Sequence, residues 1–150
     1  MFYFRKDKPK EVVCTICSRE KVKGPLLMPA HKRYLGEHIG LARAAAGRKP
    51  FFILSGVHGL ISAKTEIEYY DHRLQDTEVA ALAERVARQV RLHKIRVLYY
   101  YHEPKQSWRP YTAALSAGVI AGGGGIVHIA LPTQEQALQT LPFVVAPAIA

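Results

Sequence analysis

The segment Leu54-Ser55-Gly56-Val57-His58-Gly59-Leu60 sets a hydroxyl and an imidazole three residues apart on a glycine-flanked turn. Both side chains could face one small ligand there. His58 is suited to general acid or base work near neutral pH, with Ser55 beside it as a second catalytic candidate. The glycine spacing is not that of the Gly-x-Ser-x-Gly elbow, and no acid is placed by sequence to orient the histidine, so a hydrolase triad is not indicated. Cys14-x-x-Cys17 has no second pair of ligands to complete a zinc site, and Cys14 falls inside an expected strand rather than at a helix N-terminus that would activate it. Cys17, at the strand end, keeps a claim as a reactive thiol. The seven histidines show no His-Glu-x-x-His spacing, so no metal and no other cofactor is expected.

The elements that must carry these groups read as an α/β chain. Residues 11–17, 50–55, 95–101 and 125–131 are nearly continuous apolar, β-branched or aromatic runs, the pattern of strands buried on both faces. Helical patterns separate them at residues 29–47, with Gly36 and Gly40 as weak points, at 76–93, and at 108–121 with Pro110 in the first turn. In the first of these Ala30, Tyr34, His38, Leu41 and Ala45 share a stripe, with Lys32, Arg33, Glu37 and Arg43 elsewhere. In the second Val79, Leu82, Val86 and Val90 point inward. The two glycines after Ser55 should turn the chain away from the sheet, leaving residues 61–74 as an ordered connection. The expected architecture is one three-layer sandwich domain, with a mostly parallel, roughly four-stranded sheet covered by helices on both faces. Such sheets bind ligands beyond the carboxyl ends of their strands. That selects the loops at residues 18–23, 55–59, 102–109 and 132–136.

Composition narrows the classes further. The chain has 150 residues, 49% of them hydrophobic, and two cysteines. That is enough for a core without disulfide staples and fits a cytoplasmic rather than a secreted protein. Charged residues interrupt the first ten positions before any signal-length apolar run builds up, and no window reaches the roughly 20 apolar residues that cross a bilayer. The net charge of +9 is uneven: all 21 basic residues lie at or before Arg109, and Glu135 is the one charge after it. A basic body of this kind steers polyanions, so Arg85, Arg88 and Arg91, with the arm at residues 1–10, form an alternative, non-catalytic nucleic-acid-binding surface. The charge-free tail at residues 141–150 is expected to pack on its own domain or on a second subunit of a homo-oligomer.

Several of these residues fall in an order that resembles a bacterial and phage domain family. That family carries a Cys-Ser-x-x-Lys strand end, a Tyr in the first helix, Leu-Ser-Ala-x-x-Gly-Leu, and Tyr-Asp-x-x-Leu. The corresponding positions here are Cys17-Ser18-Arg19-Glu20-Lys21, Tyr34, Leu54-Ser55-Gly56-Val57-His58-Gly59-Leu60 and Tyr70-Asp71-His72-Arg73-Leu74. The likeness spans about residues 12–74, with Tyr111 as a further match beyond it. Gly56 replaces the commoner Ala, and Gly36 stands where a Ser usually follows the helix Tyr. Similar motifs occur in a domain of archaeosine synthase related in fold to uracil-DNA glycosylases. The resemblance implies nucleobase, nucleotide or nucleic-acid chemistry.

Taken together, the expected ligand-binding set is Cys17, Ser18, Lys21, Gly59, Tyr70, Asp71 and Tyr111 around the catalytic candidates Ser55 and His58. In it Lys21 neutralises phosphate, His58 moves a proton, and Tyr70 with Asp71 holds a base.

Overall fold

The computed structural model describes residues 9–131. The basic arm apart from its last two residues, the expected loop at 132–136 and the apolar tail therefore lie outside the described residues. The fold is mixed α/β, with four α-helices and a five-stranded, mostly parallel sheet among the described residues. Strand β1 (Lys10–Ile16) is central because Val12, Val13, Thr15 and Ile16 are β-branched and fit a pleated surface packed on both sides. All four are buried. It pairs in parallel with β3 (Phe51–Ser55) and β6 (Ile95–His102), and β6 pairs in parallel with β7 (Gly125–Ala130).

The outer strand beside β3 is a departure from expectation. Gly59 adopts φ +74°, a left-handed conformation open to glycine, so the chain after Ser55 folds back instead of leaving the sheet. Strand β4 (Gly59–Ser62) then runs antiparallel along β3, giving the order β4-β3-β1-β6-β7. Two residues of the supposed connection, β5 (Glu66–Ile67), form a small antiparallel ladder with β2 (Met28–Pro29).

The helix expected over residues 29–47 is broken. Helix α1 (Ala30–Arg33) ends where Tyr34 turns extended, at φ −81° and ψ 124°, and α2 (Glu37–Ala46) starts after Gly36. The cause is a competing partner for the backbone: Val22 N–H donates to the Arg33 carbonyl at 2.8 Å and Leu35 N–H to the Glu20 carbonyl at 2.9 Å, an antiparallel bridge between Lys21 and Tyr34. These bonds replace intrahelical ones and reset the phase of the second helix. Ile39, Ala42 and Ala46 therefore face the core, Ala45 is exposed, and Arg33, expected on the polar side, is fully buried. Its guanidinium donates to the carbonyls of Val22, Leu26 and Ile67, pinning residues 22–27 to the body.

Helix α3 (Val79–His93) follows its sequence pattern, with Leu82, Val86 and Val90 buried and Val79 half-buried. It is preceded by a 3-10 turn whose Glu78 carboxylate accepts the Gln75 N–H at 2.8 Å, the reciprocal cap that stops the helix fraying. Helix α4 (Arg109–Ala121) has Pro110 in its first turn and packs along α3. Strand β7 was expected to be buried, yet its residues are half-buried or exposed because it forms one edge of the sheet. The Tyr99-Tyr100-Tyr101 run alternates faces as period two demands, and only Tyr100 is fully buried.

Candidate functional site

The carboxyl ends of β1, β3 and β6 lie side by side, and the chain leaving each turns over the same edge. Residues 16–21, 71–73 and 103–111 converge there with the start of α2. Between them opens a cleft of about 620 Å³. Of the residues singled out by sequence, Cys17, Ser18, Lys21, Asp71 and Tyr111 line it.

Ser55 and Tyr70 sit immediately behind that lining. Ser55 Oγ accepts the N–H groups of Val57 at 3.1 Å and His58 at 3.0 Å, which occupies both of its lone pairs. Its proton is then left for Tyr70 Oη, 2.8 Å away, and Tyr70 Oη shares a 2.6 Å hydrogen bond with Tyr34 Oη. Ser55 is wholly buried and Tyr34 nearly so. Three hydroxyls from β3, the 68–74 connection and the broken helix thus form one chain. Burial raises both tyrosine hydroxyls above their ordinary value, so they stay protonated donors. Tyr34 reaches this chain because the helix breaks at it: in a continuous helix the residue would not turn extended toward Lys21.

Cys17 is the floor of the cleft. Burial pushes its thiol up, opposed by the Gly56 backbone, the Lys21 charge and the Tyr111 and Tyr70 hydroxyls, which all favour the thiolate. Burial keeps it a neutral thiol, as it does Cys14, whose Sγ donates to the Thr15 carbonyl at 3.4 Å. Tyr111 Oη accepts the Leu74 N–H at 3.2 Å, and burial, then the neighbouring Cys17, pushes its hydroxyl up to about 12. A methyl group at Gly56 would meet Tyr111 at 3.5 Å, an ordinary contact, so the glycine is not required by space. Lys21 stands over the Tyr70 ring at 4.6 Å and the Tyr34 ring at 5.9 Å while its Nζ donates to the Arg19 carbonyl at 3.3 Å. Its charge is thus held at the mouth by aromatic faces.

The opposite wall joins the selected loop at residues 102–109 to a residue that was not anticipated, His38. Trp108 ends a 3-10 turn after β6, and the His38 ring on α2 meets it edge to face with centroids 4.8 Å apart. Sequence placed His38 on the inward stripe of the first helix, a structural position. In part it has that role, since Nε2 donates to the Ile16 carbonyl at 2.8 Å. Ser18 locks the same corner, donating to the Glu20 carbonyl at 2.7 Å and accepting the Gly36 N–H at 3.1 Å. A Cβ at Gly36 would come within 2.5 Å of His38 Cε1 and 2.9 Å of Ser18 Cβ, so the imidazole occupies the space a side chain there would need. The pairing of Gly36 with a histidine two residues on was the available signal for this wall. Arg73, Glu103 and Lys105 complete the rim, the last two as an ion pair at 2.7 Å.

His58 and Gly59 lie outside the cleft lining. His58 packs edge-on against Tyr70 with centroids 5.7 Å apart, and its Nε2 is 3.0 Å from Glu68 Oε1, within ion-pair distance but without hydrogen-bond geometry. Gly59 is turned to α3, where a Cβ would strike the Gln89 side chain at 2.5 Å. The Gln89 side chain accepts the Leu60 N–H at 2.7 Å and donates to the His58 carbonyl at 3.2 Å, which holds the turn.

No group of three or more His, Cys, Asp or Glu side chains among the described residues is placed to hold a metal ion. Nor is any helix among them long and apolar enough to cross a membrane. No protein-family model, curated protein or solved structure matches the chain.

Proposed function

We propose that the chain binds a nucleobase or nucleotide in the cleft at the carboxyl edge of its sheet, within a sandwich whose helices cover both sheet faces. The observation that carries this is the composition of one cavity: an aromatic wall of Trp108 and His38 stands across from cations held at the mouth, Lys21 and Arg73, with the Asp71 carboxylate between them in sequence. Flat apolar rings suit a base, and lysine and arginine suit phosphate. The volume of about 620 Å³ is in the range of small-ligand sites. In this reading Ser55 and His58 act through Tyr70, which they fix from behind, rather than by attacking the ligand. The cleft is preferred over a backbone-binding surface on α3 because Arg85 and Arg91 already donate to the carbonyls of Val57 and Ala121.

Trp108 is the sole tryptophan, so its fluorescence reports the cleft directly. Titration with nucleosides, nucleoside monophosphates and short DNA or RNA at fixed ionic strength should give a saturable change with at least one mononucleotide. Lys21→Ala should then weaken the nucleotide about tenfold while changing the nucleoside little, as expected for one lost charged contact. If no base-containing small molecule saturates the signal, the reading fails; a response to polynucleotide alone, steep in salt, would move the function to the basic surface.

A further inference from the structure

The polarity of the aromatic wall goes one step beyond the kind of ligand and restricts which edge of it can enter. A carbonyl oxygen has no proton to give, so the 2.8 Å bond to Ile16 requires the proton of a neutral His38 to sit on Nε2. Nδ1 is then an acceptor. Burial lowers the His38 pKa, against the carbonyls of Ile16 and Cys17, which raise it, so the ring is neutral at ordinary pH. The ring cannot flip to present the other tautomer without giving up the Ile16 bond. The Cε1–Nδ1 edge lies against Gly36, itself part of the cleft lining, where a side chain would strike it, and Nδ1 still reaches solvent. His38 makes no hydrogen bond through Nδ1 to any described residue.

We infer that His38 Nδ1 is a specificity determinant that accepts an N–H from the base edge seated against Trp108, so that the cleft selects a nucleobase carrying a hydrogen-bond donor there. The inference rests on the nucleobase reading above. The carboxylates of the cleft, Glu37, Asp71 and Glu103, are charged acceptors on or near its rim, whereas His38 is an uncharged one held in a single tautomer beside the aromatic surface. A site built to receive a donor favours the ligand that supplies it over an analogue that lacks it.

The test compares ligands in which a donor is removed or replaced by a methyl group: adenosine with purine riboside, cytidine with pyrimidin-2-one riboside, guanosine with 1-methylguanosine, and uridine with 3-methyluridine. Each is titrated against the full chain by Trp108 fluorescence. Nitrogen-15 NMR of the histidines in the same wild-type protein assigns the tautomer without any variant. The expected result is an Nε2–H tautomer for His38, a shift of its Nδ1 resonance on ligand binding, and at least one pair discriminated by on the order of tenfold or more. His38→Gln and His38→Phe should both lower that ratio toward one.

Binding without discrimination, or with discrimination unchanged in both variants, overturns the role of His38 and leaves the nucleobase reading standing. So does an Nδ1–H tautomer, measured on the wild-type protein whether or not the variants fold. Absence of binding by all eight nucleosides and by their monophosphates overturns both together.

Discussion

Replacing Tyr70 with Phe removes one oxygen and leaves the ring against His58 and Lys21, so it isolates the hydroxyl chain. Two hydrogen bonds are lost, to Ser55 at 2.8 Å and to Tyr34 at 2.6 Å. Each contributes about 1 kcal/mol net. The Ser55 proton is then stranded in a fully buried place, since its oxygen is already occupied by two backbone N–H groups. Leaving a buried donor unmet costs about 1 kcal/mol more at the low end of the usual range. Tyr70→Phe should therefore destabilise the fold by about 3 kcal/mol, which for a chain of this length is a fall of about 10 °C in melting temperature. Urea unfolding followed by Trp108 fluorescence measures this, and an unchanged slope would show that only the native state lost interactions. Ser55→Ala in the Tyr70→Phe background should cost about 1 kcal/mol less than in the wild type, the coupling expected of two groups in direct contact. A loss below about 1 kcal/mol with no coupling would mean that the hydroxyls are met by solvent instead, and the account of a closed chain behind the cleft would be wrong.

Two further perturbations test the frame around the site. Arg33→Met removes a buried guanidinium that holds three backbone carbonyls, so it should cost about 3 kcal/mol and expose residues 22–27 to protease; limited proteolysis with unchanged cleavage there would refute the clamp. Stability should also fall on acidification. Burial lowers the pKa of His38 and, less deeply placed, of His31, His93 and His102, so the unfolded chain takes up protons at a higher pH than the folded one. That stability is complete above the ordinary histidine value of about 6.5 and drains as pH falls through it toward the lowered values. A urea midpoint higher at pH 5.5 than at pH 7.5 would contradict this balance.

The parallel core was readable because its signals are local. Continuous β-branched runs such as Val12 to Ile16 and the amphipathic spacing of Leu82, Val86 and Val90 each belong to one element and need no partner to be recognised. The edge strand β4 was not readable. Gly59 signals a turn, but whether the chain leaves the sheet or doubles back depends on what receives it, and here Gln89 on α3 does so. The motif residues Cys17, Ser18 and Lys21 were legible as one strand end, and the structure brings them to the cleft together with Asp71 and Tyr111.

What the sequence determined by itself was the class of fold, the sheet edge at which the cleft opens and the near-sequence groups on that edge. Tertiary structure decided the rest. It broke the first helix by offering Arg33 and Leu35 backbone partners on residues 20–22, which buried an arginine expected outside and swung Tyr34 into the hydroxyl chain. It set Trp108 against His38 across 70 residues of sequence and fixed the imidazole proton on Nε2, which donates to the Ile16 carbonyl. Periodicity encodes which face of an element is apolar. It does not encode which distant backbone group will compete for a hydrogen bond, and it was those competitions that shaped the cleft.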